Sequence, residues 1–309
     1  MRNIVGLTGI GDPYIIRFKD TYYLYATTFR KIGGTIDGFN CWYSTDMINW
    51  TLAGKAYEKN NRSFGDTDFW APEVVYANGK YIMHYSARLN ENNSLRIGVA
   101  YADRPEGPFI DVFDKKPMFD FGFAAIDGHV YFAEDGHIYF YYSKDCSENI
   151  FEGRHESHIY VVELDKTLTK FMTTPKIVIK PEQDWEAVTG DWRWTEGPFV
   201  VKDNDLYYMM YSAGFYYAPT YSIGYAVSDS PLGPFKKSEN NPLIKSIDKV
   251  ISGPGHNSVF TDMDNNLYMA YHIHTDMNNP SEDRQLVIDR LYIEDQKLWL
   301  SEDFKKEEK

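Results

Sequence analysis

The amino-terminal part of the chain alternates apolar and polar positions in two short runs. Tyr14 to Phe18 and Tyr22 to Thr27 are rich in aromatic and β-branched residues, and the polar residues Lys19-Asp20-Thr21 separate them. Runs of this length and composition predict β-strands, and the polar break predicts the turn of a hairpin. Asp12-Pro13 precedes the first run, so we expect an acidic residue at the start of this hairpin.

The pattern of a hairpin followed by two shorter runs recurs four more times, at intervals of about 55 to 70 residues. In the first copy the additional runs are Phe39 to Ser44 and Trp50 to Leu52, and in the last copy they are Gln285 to Tyr292 and Lys297 to Leu300. Repeats of four short strands are typical of propeller blades. We therefore predict an all-β fold, a five-bladed β-propeller with four antiparallel strands per blade, with residues 1–309 as a single domain.

The composition limits the possible binding partners and the cellular compartment of the protein. The formal net charge of −13 argues against a nucleic acid or an anionic membrane, because both require clustered Lys and Arg. No apolar run reaches the length of a membrane span, and Cys41 and Cys146 are expected to be free thiols. We expect a cytoplasmic protein, or a secreted or periplasmic one if a leader has been removed. The sequence leaves the oligomeric state open.

One ionisable residue lies at or beside the start of the first strand of each predicted blade, and we expect these five residues to occupy equivalent positions. They are Asp12, Glu73, Asp127, Glu196 and His256. Because the innermost strands of a propeller run toward the same end of its central channel, we expect these side chains to converge there. Like charges held close together raise the pKa values of some members, which marks a functional pocket. Two carboxyl groups that face each other are what hydrolysis of a glycosidic bond requires.

Five short motifs surround these residues. They are Asp12-Pro13, Trp70-Ala71-Pro72-Glu73, Ile126-Asp127, Thr195-Glu196-Gly197-Pro198 and Gly253-Pro254-Gly255-His256. As a set they resemble family 43 of the glycoside hydrolases, and the resemblance runs from about Gly11 to Leu300. It implies a five-bladed propeller that acts on arabinose- and xylose-containing polysaccharides and inverts the anomeric configuration.

The resemblance also implies a role for three carboxylates. Asp12 is expected to be the general base, Glu196 the general acid, and Asp127 the group that raises the acid's pKa and orients it or the sugar. An inverting pair stands about 6.5 to 9.5 Å apart, which leaves room for a water molecule. The family's third motif often reads Asp-Pro, so Asp127-Gly128 is expected to be held less rigidly. Taken singly, Asp12 could be a turn residue and Glu196 a solvated loop acid; their recurrence favours catalysis.

The remaining two ionisable positions have structural alternatives. Glu73 is expected to support its blade rather than react. His256 is a candidate for substrate binding. It matches a channel residue that lies in the family near a bound calcium ion or a water cluster, and a hydrogen-bonded structural histidine fits it equally well. We expect no required cofactor and an optional structural Ca²⁺ in the central channel, held near His256 through waters. No loop has the acidic spacing of a dedicated calcium cage.

Aromatic residues near the motifs are candidates for stacking against sugar rings. Trp70, beside a matched motif, is the favoured one; the others, for which packing between blades is the alternative, are Trp192, Trp194, Phe215 and Tyr216. Arg284 matches an arginine that often reaches substrate hydroxyls in the family, and its alternative is a surface ion pair.

The resulting prediction is an inverting glycosidase whose partner is a carbohydrate substrate. An exo-acting α-L-arabinofuranosidase or β-xylosidase is favoured over an endo-arabinanase or an exo-galactanase-type enzyme of the same fold. A propeller that binds carbohydrate without catalysis is the alternative from another class. The loops Arg30 to Asp37 and Glu182 to Trp194 are expected to decide between a closed pocket and an open groove.

Overall fold

The computed structural model of the protein describes residues 4–28, 37–89, 91–187 and 190–301. Within these ranges the chain forms 24 β-strands and one short 3₁₀ helix, Asp184–Glu186. Five antiparallel sheets built around four strands each are the blades of the propeller, which confirms the predicted architecture. No helix among the described residues is long and apolar enough to cross a bilayer. The loop Arg30 to Asp37, except for Asp37 itself, lies outside the described residues.

The strands follow one another regularly along the chain. The amino-terminal strand is β1 (Ile4–Thr8), and blade 1 comprises β2 (Ile10–Phe18), β3 (Thr21–Thr28), β4 (Gly38–Ser44) and β5 (Thr51–Glu58). Blade 2 comprises β6 (Gly65–Ala77), β7 (Lys80–Leu89), β8 (Leu95–Ala102) and β9 (Ile110–Asp111).

The next seven strands form blade 3 and a small additional sheet. They are β10 (Ala125–Phe132), β11 (Ile138–Lys144), β12 (Ile150–Phe151), β13 (Arg154–Glu156), β14 (His158–Glu163), β15 (Lys176–Ile179) and β16 (Trp192–Arg193). Blade 3 is β10, β11, β14 and β15, and the additional sheet is β12, β13 and β16. The loop Glu182 to Trp194, which the sequence predicts without any strand, thus pairs through β16 with the segment that follows β11.

Blades 4 and 5 complete the ring. Blade 4 comprises β17 (Glu196–Asp203), β18 (Leu206–Ala213), β19 (Ser222–Ser228) and β20 (Lys236–Lys237), and blade 5 contains β21 (Gly255–Thr261), β22 (Leu267–His274), β23 (Arg284–Glu294) and β24 (Lys297–Leu300). The first strands of successive blades contact one another around the channel, and β2 meets both β6 and β21.

Both ends of the chain supply the outer edge of blade 5. Strand β24 pairs with the end of β23, as predicted, but β1 pairs with its beginning, with Ile4 opposite Val287 and Thr8 opposite Gln285. The sequence does not predict β1, because a run of five residues that is only partly buried carries little periodic signal. Strand β1 therefore ties the amino terminus to the last blade and closes the ring.

The tyrosine-rich composition is explained by the packing between strands and blades. Tyr57 and Tyr85 lie with ring centroids 4.8 Å apart, and both donate hydrogen bonds to the buried carboxylate of Asp111. Tyr211 donates in the same way to the buried Glu186, at 2.6 Å. Each ring buries apolar surface while its hydroxyl satisfies a buried acceptor, so the core contains carboxylates without leaving them unpaired.

Each innermost strand contains a β-bulge near its start. The pairing register shifts there in all five blades. One residue in each bulge has a left-handed backbone with φ between 46° and 59°; these residues are Asp12, Ala71, Asp127, Gly197 and His256. Such bulges re-aim side chains next to active sites. The repeat therefore presents one equivalent position per blade at the same end of the channel.

Side chains of the preceding blade hold four of these bulges. The backbone N–H groups of Ala71, Asp127 and His256 donate to hydroxyl oxygens on the second strand of the blade before, which belong to Thr27, Ser86 and Ser212. The N–H of Asp12 donates to His272 Nδ1 at 3.1 Å. The bulges are thus fixed by contacts between blades.

Two of the five ionisable residues do not occupy the equivalent position predicted for them. Asp12, Asp127 and His256 occupy the bulge position, but in blades 2 and 4 that position belongs to Ala71 and Gly197. Glu196 stands one residue before its bulge position, and Glu73 stands two residues after it. The side chain of Glu196 therefore enters the site from a different backbone position than the side chains of Asp12 and Asp127.

Candidate active site

One cavity of about 300 Å³ lies at the channel end where the bulges converge. All six residues predicted from the sequence as catalytic or substrate-binding line it; they are Asp12, Trp70, Asp127, Glu196, His256 and Arg284. The structure thus brings together residues that are up to 272 positions apart in the chain. Their geometry shows which of them can hold or release a proton.

Asp12 is a buried carboxylate surrounded by donors. Its Oδ1 accepts a hydrogen bond from Arg284 Nη1 at 2.8 Å, and its Oδ2 accepts one from Thr27 Oγ1 at 2.5 Å. Burial alone would raise the pKa of Asp12, but the charge of Arg284, the nearby His256 and His272, and the Thr27 hydroxyl together hold that pKa well below its usual range. Asp12 is therefore ionised throughout the working pH range of a protein.

Arg284 reaches Asp12 only because residue 11 is glycine. A Cβ atom on Gly11 would lie 2.0 Å from Arg284 Cζ. The guanidinium group also lies over the ring of Tyr216, with its central carbon 5.5 Å from the ring centroid. The surface ion pair considered for Arg284 is thus wrong, because its partner is the buried Asp12.

Glu196 has the opposite protonation preference. Its side chain is buried, and Oε1 accepts a hydrogen bond from the Tyr221 hydroxyl at 2.7 Å. Burial raises the pKa of Glu196 well above its usual value, and the negative charge of Asp127 raises it further, while the Tyr221 hydrogen bond acts in the lowering direction. Glu196 is therefore protonated under conditions in which Asp12 is ionised.

Asp127 is a further buried carboxylate of the cavity, and it contacts the backbone beside Glu196. Its Oδ2 accepts the N–H of Gly197, the residue next to Glu196, at 2.9 Å. Burial raises the pKa of Asp127 to about 6, with His256 opposing the shift and Asp12 adding to it. Gly128, where the family often has proline, leaves space for Phe140, since a Cβ there would lie 2.4 Å from Phe140 Cζ.

His256 lies between the carboxylates. Its Nδ1 is 3.5 Å from Asp12 Oδ1 and 4.0 Å from Asp127 Oδ2. Glu73, by contrast, does not line the cavity; its Oε2 pairs with His129 Nδ1 at 2.8 Å, and His129 Nε2 accepts the N–H of Val200. This arrangement links blades 2, 3 and 4 and agrees with the supporting role expected for Glu73.

A calcium ion bound directly in the channel would need several oxygen ligands around one point. Among the described residues, no group of three or more His, Cys, Asp or Glu side chains is arranged to hold a metal ion. His272 Nε2 is buried without a described partner, but its Nδ1 accepts the Asp12 N–H, so Nε2 carries the proton and cannot ligate a metal directly. Direct ligation of calcium does not fit these residues, and the water-held ion near His256 stays a prediction.

Aromatic residues form two walls of the cavity. On one side Trp70 lies under the guanidinium group of Arg88, whose Nε is 2.5 Å from Asp68 Oδ2. On the other side Trp192 and Trp194 stack with ring centroids 5.7 Å apart. Tyr216 also lines the cavity, whereas Phe215 packs behind Trp194. Four of the five predicted aromatic candidates therefore face the site.

Several residues of the site were missed by the sequence analysis. Tyr221, Thr27 and Asp145 line the cavity beside the predicted carboxylates. Tyr221 directly precedes β19, and nothing in its local sequence indicates a contact with a residue 25 positions away. Thr27 has a weak signal, because it pairs with Gly11 across the first hairpin and is therefore adjacent to Asp12.

A propeller whose cavity holds an ionised carboxylate together with a protonated one has the acid–base pair of a glycoside hydrolase. The family model described as "Glycosyl hydrolases family 43" matches residues 1–298. The chain belongs to this family. Members of the family hydrolyse O-glycosyl bonds with inversion of configuration.

Individual proteins and structures agree with this assignment. The chain is 28% identical to a β-D-galactofuranosidase of Aspergillus niger, covering 91% of this chain and 79% of the relative. It is 32% identical to a xylosidase/arabinosidase of Bacteroides ovatus, covering 73% of this chain and 76% of the relative. The crystal structure of a thermostable family-43 glycoside hydrolase superposes with a TM-score of 0.91 at 45% identity, covering 97% of this chain and 96% of that one.

The contact between Tyr221 and Glu196 predicts a change in the pH profile. With Glu196 as the predicted general acid, we expect kcat/KM to fall as the pH rises through the pKa of Glu196. Because the Tyr221 hydroxyl favours the ionised form, Tyr221→Phe is expected to move this alkaline limb to higher pH. The value of kcat/KM at the pH optimum should fall by less than about tenfold, which corresponds to the loss of one hydrogen bond. The exposed Tyr43→Phe is the matched control. An unchanged limb, or one moved to lower pH, would contradict the contact.

Proposed function

We propose that the chain removes terminal pentose residues, xylose or arabinofuranose, from plant polysaccharides or the oligosaccharides derived from them. The observation that carries this proposal is the pairing of an ionised Asp12 with a protonated Glu196 in one cavity. The names of the relatives, which include a xylosidase/arabinosidase, support the pentose class.

The proposed reaction is a single displacement. The Asp12 carboxylate accepts a proton from a water molecule while the oxygen of that water attacks the anomeric carbon. Glu196 gives its proton to the glycosidic oxygen as the bond to the leaving sugar breaks. Asp12 ends protonated and Glu196 ionised, and exchange with solvent restores both. Arg284 holds the base ionised and in position, and Asp127 raises the pKa of the acid.

The charge of the cavity supports a neutral sugar as the substrate. Six carboxyl side chains line it, against the two guanidinium groups of Arg88 and Arg284; they belong to Asp12, Asp68, Asp127, Asp145, Glu196 and Glu282. A negatively charged uronic acid would meet this acidic surface at a cost, whereas hydroxyl groups of a neutral sugar find many acceptors.

The size of the cavity and its two walls support exo action. Its volume of about 300 Å³ is at the lower end of small-ligand sites. Trp70 with Arg88, and Trp192 with Trp194, line this small volume. An endo-acting enzyme needs a groove that accommodates sugars on both sides of the cleaved bond.

A substrate panel tests the proposal. The purified chain is assayed with 4-nitrophenyl β-D-xylopyranoside, α-L-arabinofuranoside and β-D-galactofuranoside, and with linear arabinan and xylan. We expect hydrolysis of a pentoside and release of monosaccharide from the polymer without early loss of viscosity. Cleavage of the galactofuranoside alone would contradict the pentose class, and an early fall in viscosity would contradict exo action. Sugar binding without any hydrolysis would indicate the binding-module alternative.

A further inference from the structure

Asp145 is one of three cavity carboxylates that have no part in the reaction described above. It follows β11 directly, and its side chain is only 7% exposed. Its Oδ1 accepts two hydrogen bonds from Ser147, from the backbone N–H at 3.0 Å and from the hydroxyl at 2.5 Å. Near Oδ2 the described residues offer only the thiol of Cys146, at 3.8 Å. A buried carboxylate oxygen with so weak a donor retains its capacity to accept a stronger one.

Asp145 lies on the side of the cavity that holds the acid. Its negative charge contributes to the raised pKa values of both Glu196 and Asp127. Glu196 protonates the oxygen that leaves with the departing sugar, so groups beside Glu196 are close to the leaving group. Burying a further negative charge next to two other carboxyl groups is unfavourable, and an asparagine would accept from Ser147 equally well. Capping of the turn therefore does not explain why residue 145 is an aspartate rather than an asparagine, and we look for a second function of its carboxylate.

The turn that carries Asp145 is joined to one aromatic wall. His155 donates from Nδ1 to the carbonyl oxygen of Cys146 at 2.9 Å, and its ring stacks on Trp192 with centroids 4.0 Å apart. His155 also lies opposite Trp192 in the pairing of β13 with β16. The additional sheet thus sets Asp145 and the Trp192 face in one rigid unit at the leaving-group side.

We propose that Asp145 accepts a hydrogen bond from a hydroxyl group of the leaving sugar while that sugar stacks on Trp192 or Trp194. Asp145 then determines the preference for a sugar, rather than another alcohol, as the leaving group. This inference rests on the proposed function, because it presumes glycoside hydrolysis in the same cavity.

The test compares two substrates with the same terminal pentose. In one the leaving group is 4-nitrophenol, which has no hydroxyl to offer Asp145, and in the other it is a second pentose. Asp145→Asn is assayed on both, each at the variant's own pH optimum, which removes the effect of the lost charge on Glu196. We expect kcat/KM for the disaccharide to fall about tenfold or more, mainly through KM, as for one lost charge-assisted hydrogen bond. The value for the aryl pentoside should stay within about twofold of that of the wild type.

The matched control is Asp135→Asn, an exposed carboxylate in the turn before the same strand, β11. It should leave both substrates unaffected. Equal losses of Asp145→Asn on both substrates, or no loss on either, would overturn the inference, and the aryl pentoside activity shows whether the variant is folded. If the wild-type chain hydrolyses neither substrate, the proposed function fails and this inference fails with it. If it hydrolyses both, the inference is decided by how Asp145→Asn changes the ratio of the two kcat/KM values.

Discussion

Glu196→Gln is expected to lower kcat about 10²- to 10⁴-fold on a pentose disaccharide, the usual contribution of a general acid. The sugar alkoxide is a poor leaving group and departs only with a proton, which Glu196 is expected to supply. The leaving group of a dinitrophenyl pentoside departs as a stable phenolate. The same variant should therefore hydrolyse this substrate with a much smaller loss of kcat. Steady-state kinetics on the two substrates measure the difference directly.

The control for this variant is Glu134→Gln, in which an exposed carboxylate paired with Lys202 on the outer surface loses its charge. It should behave as the wild type on both substrates. Equal losses of Glu196→Gln on the disaccharide and the dinitrophenyl pentoside would show that Glu196 is not the acid. The acid would then have to be sought at Asp127, the other cavity carboxyl group with a raised pKa.

Asp12→Asn is expected to abolish hydrolysis of both substrates alike, with kcat reduced about 10²- to 10⁴-fold or more. The attacking water must lose a proton whatever the leaving group is. An activated phenol as leaving group therefore does not restore the rate. The substituted amide keeps the size of the side chain, and its oxygen could still accept a hydrogen bond from Arg284. The loss should therefore appear in kcat with both the disaccharide and the dinitrophenyl pentoside.

Asp20→Asn provides the matched control, because Asp20 is an exposed residue in the turn of the same hairpin. A melting temperature of Asp12→Asn close to that of the wild type would exclude loss of fold as the cause. Retention of more than about one tenth of the wild-type kcat on either substrate would remove Asp12 from the role of base.

The fold could be predicted because each blade is a local pattern. The hairpin from Tyr14 to Thr27 and its four counterparts alternate apolar and polar positions strongly, and their recurrence indicates a propeller. Strand β1 was missed because its pairing with β23 joins the two ends of the chain, and long-range pairing leaves no local signal. The additional sheet was missed for the same reason, since β13 pairs with β16 across a long interval.

The site residues were predicted largely through their motifs, and the backbone positions they occupy were not. Asp12, Asp127 and His256 share the bulge position, so recurrence along the chain indicates their common backbone position. Glu196 and Glu73 were assigned to the same position, but the place of each bulge depends on hydrogen bonds from the blade before, which the local sequence does not contain. Tyr221 meets Glu196, and Asp145 reaches the cavity, only in the folded ring, and no spacing rule leads to either residue.

The stereochemistry of hydrolysis tests the central claim most directly, namely that Asp12 activates water for a single displacement assisted by Glu196. Proton NMR of the first minutes of hydrolysis identifies the anomer that forms before mutarotation. We predict the inverted sugar as the first product, α-xylose from a β-xyloside or β-arabinofuranose from an α-arabinofuranoside. First appearance of the retained anomer would contradict the account, because it would require a covalent intermediate on one of the carboxylates.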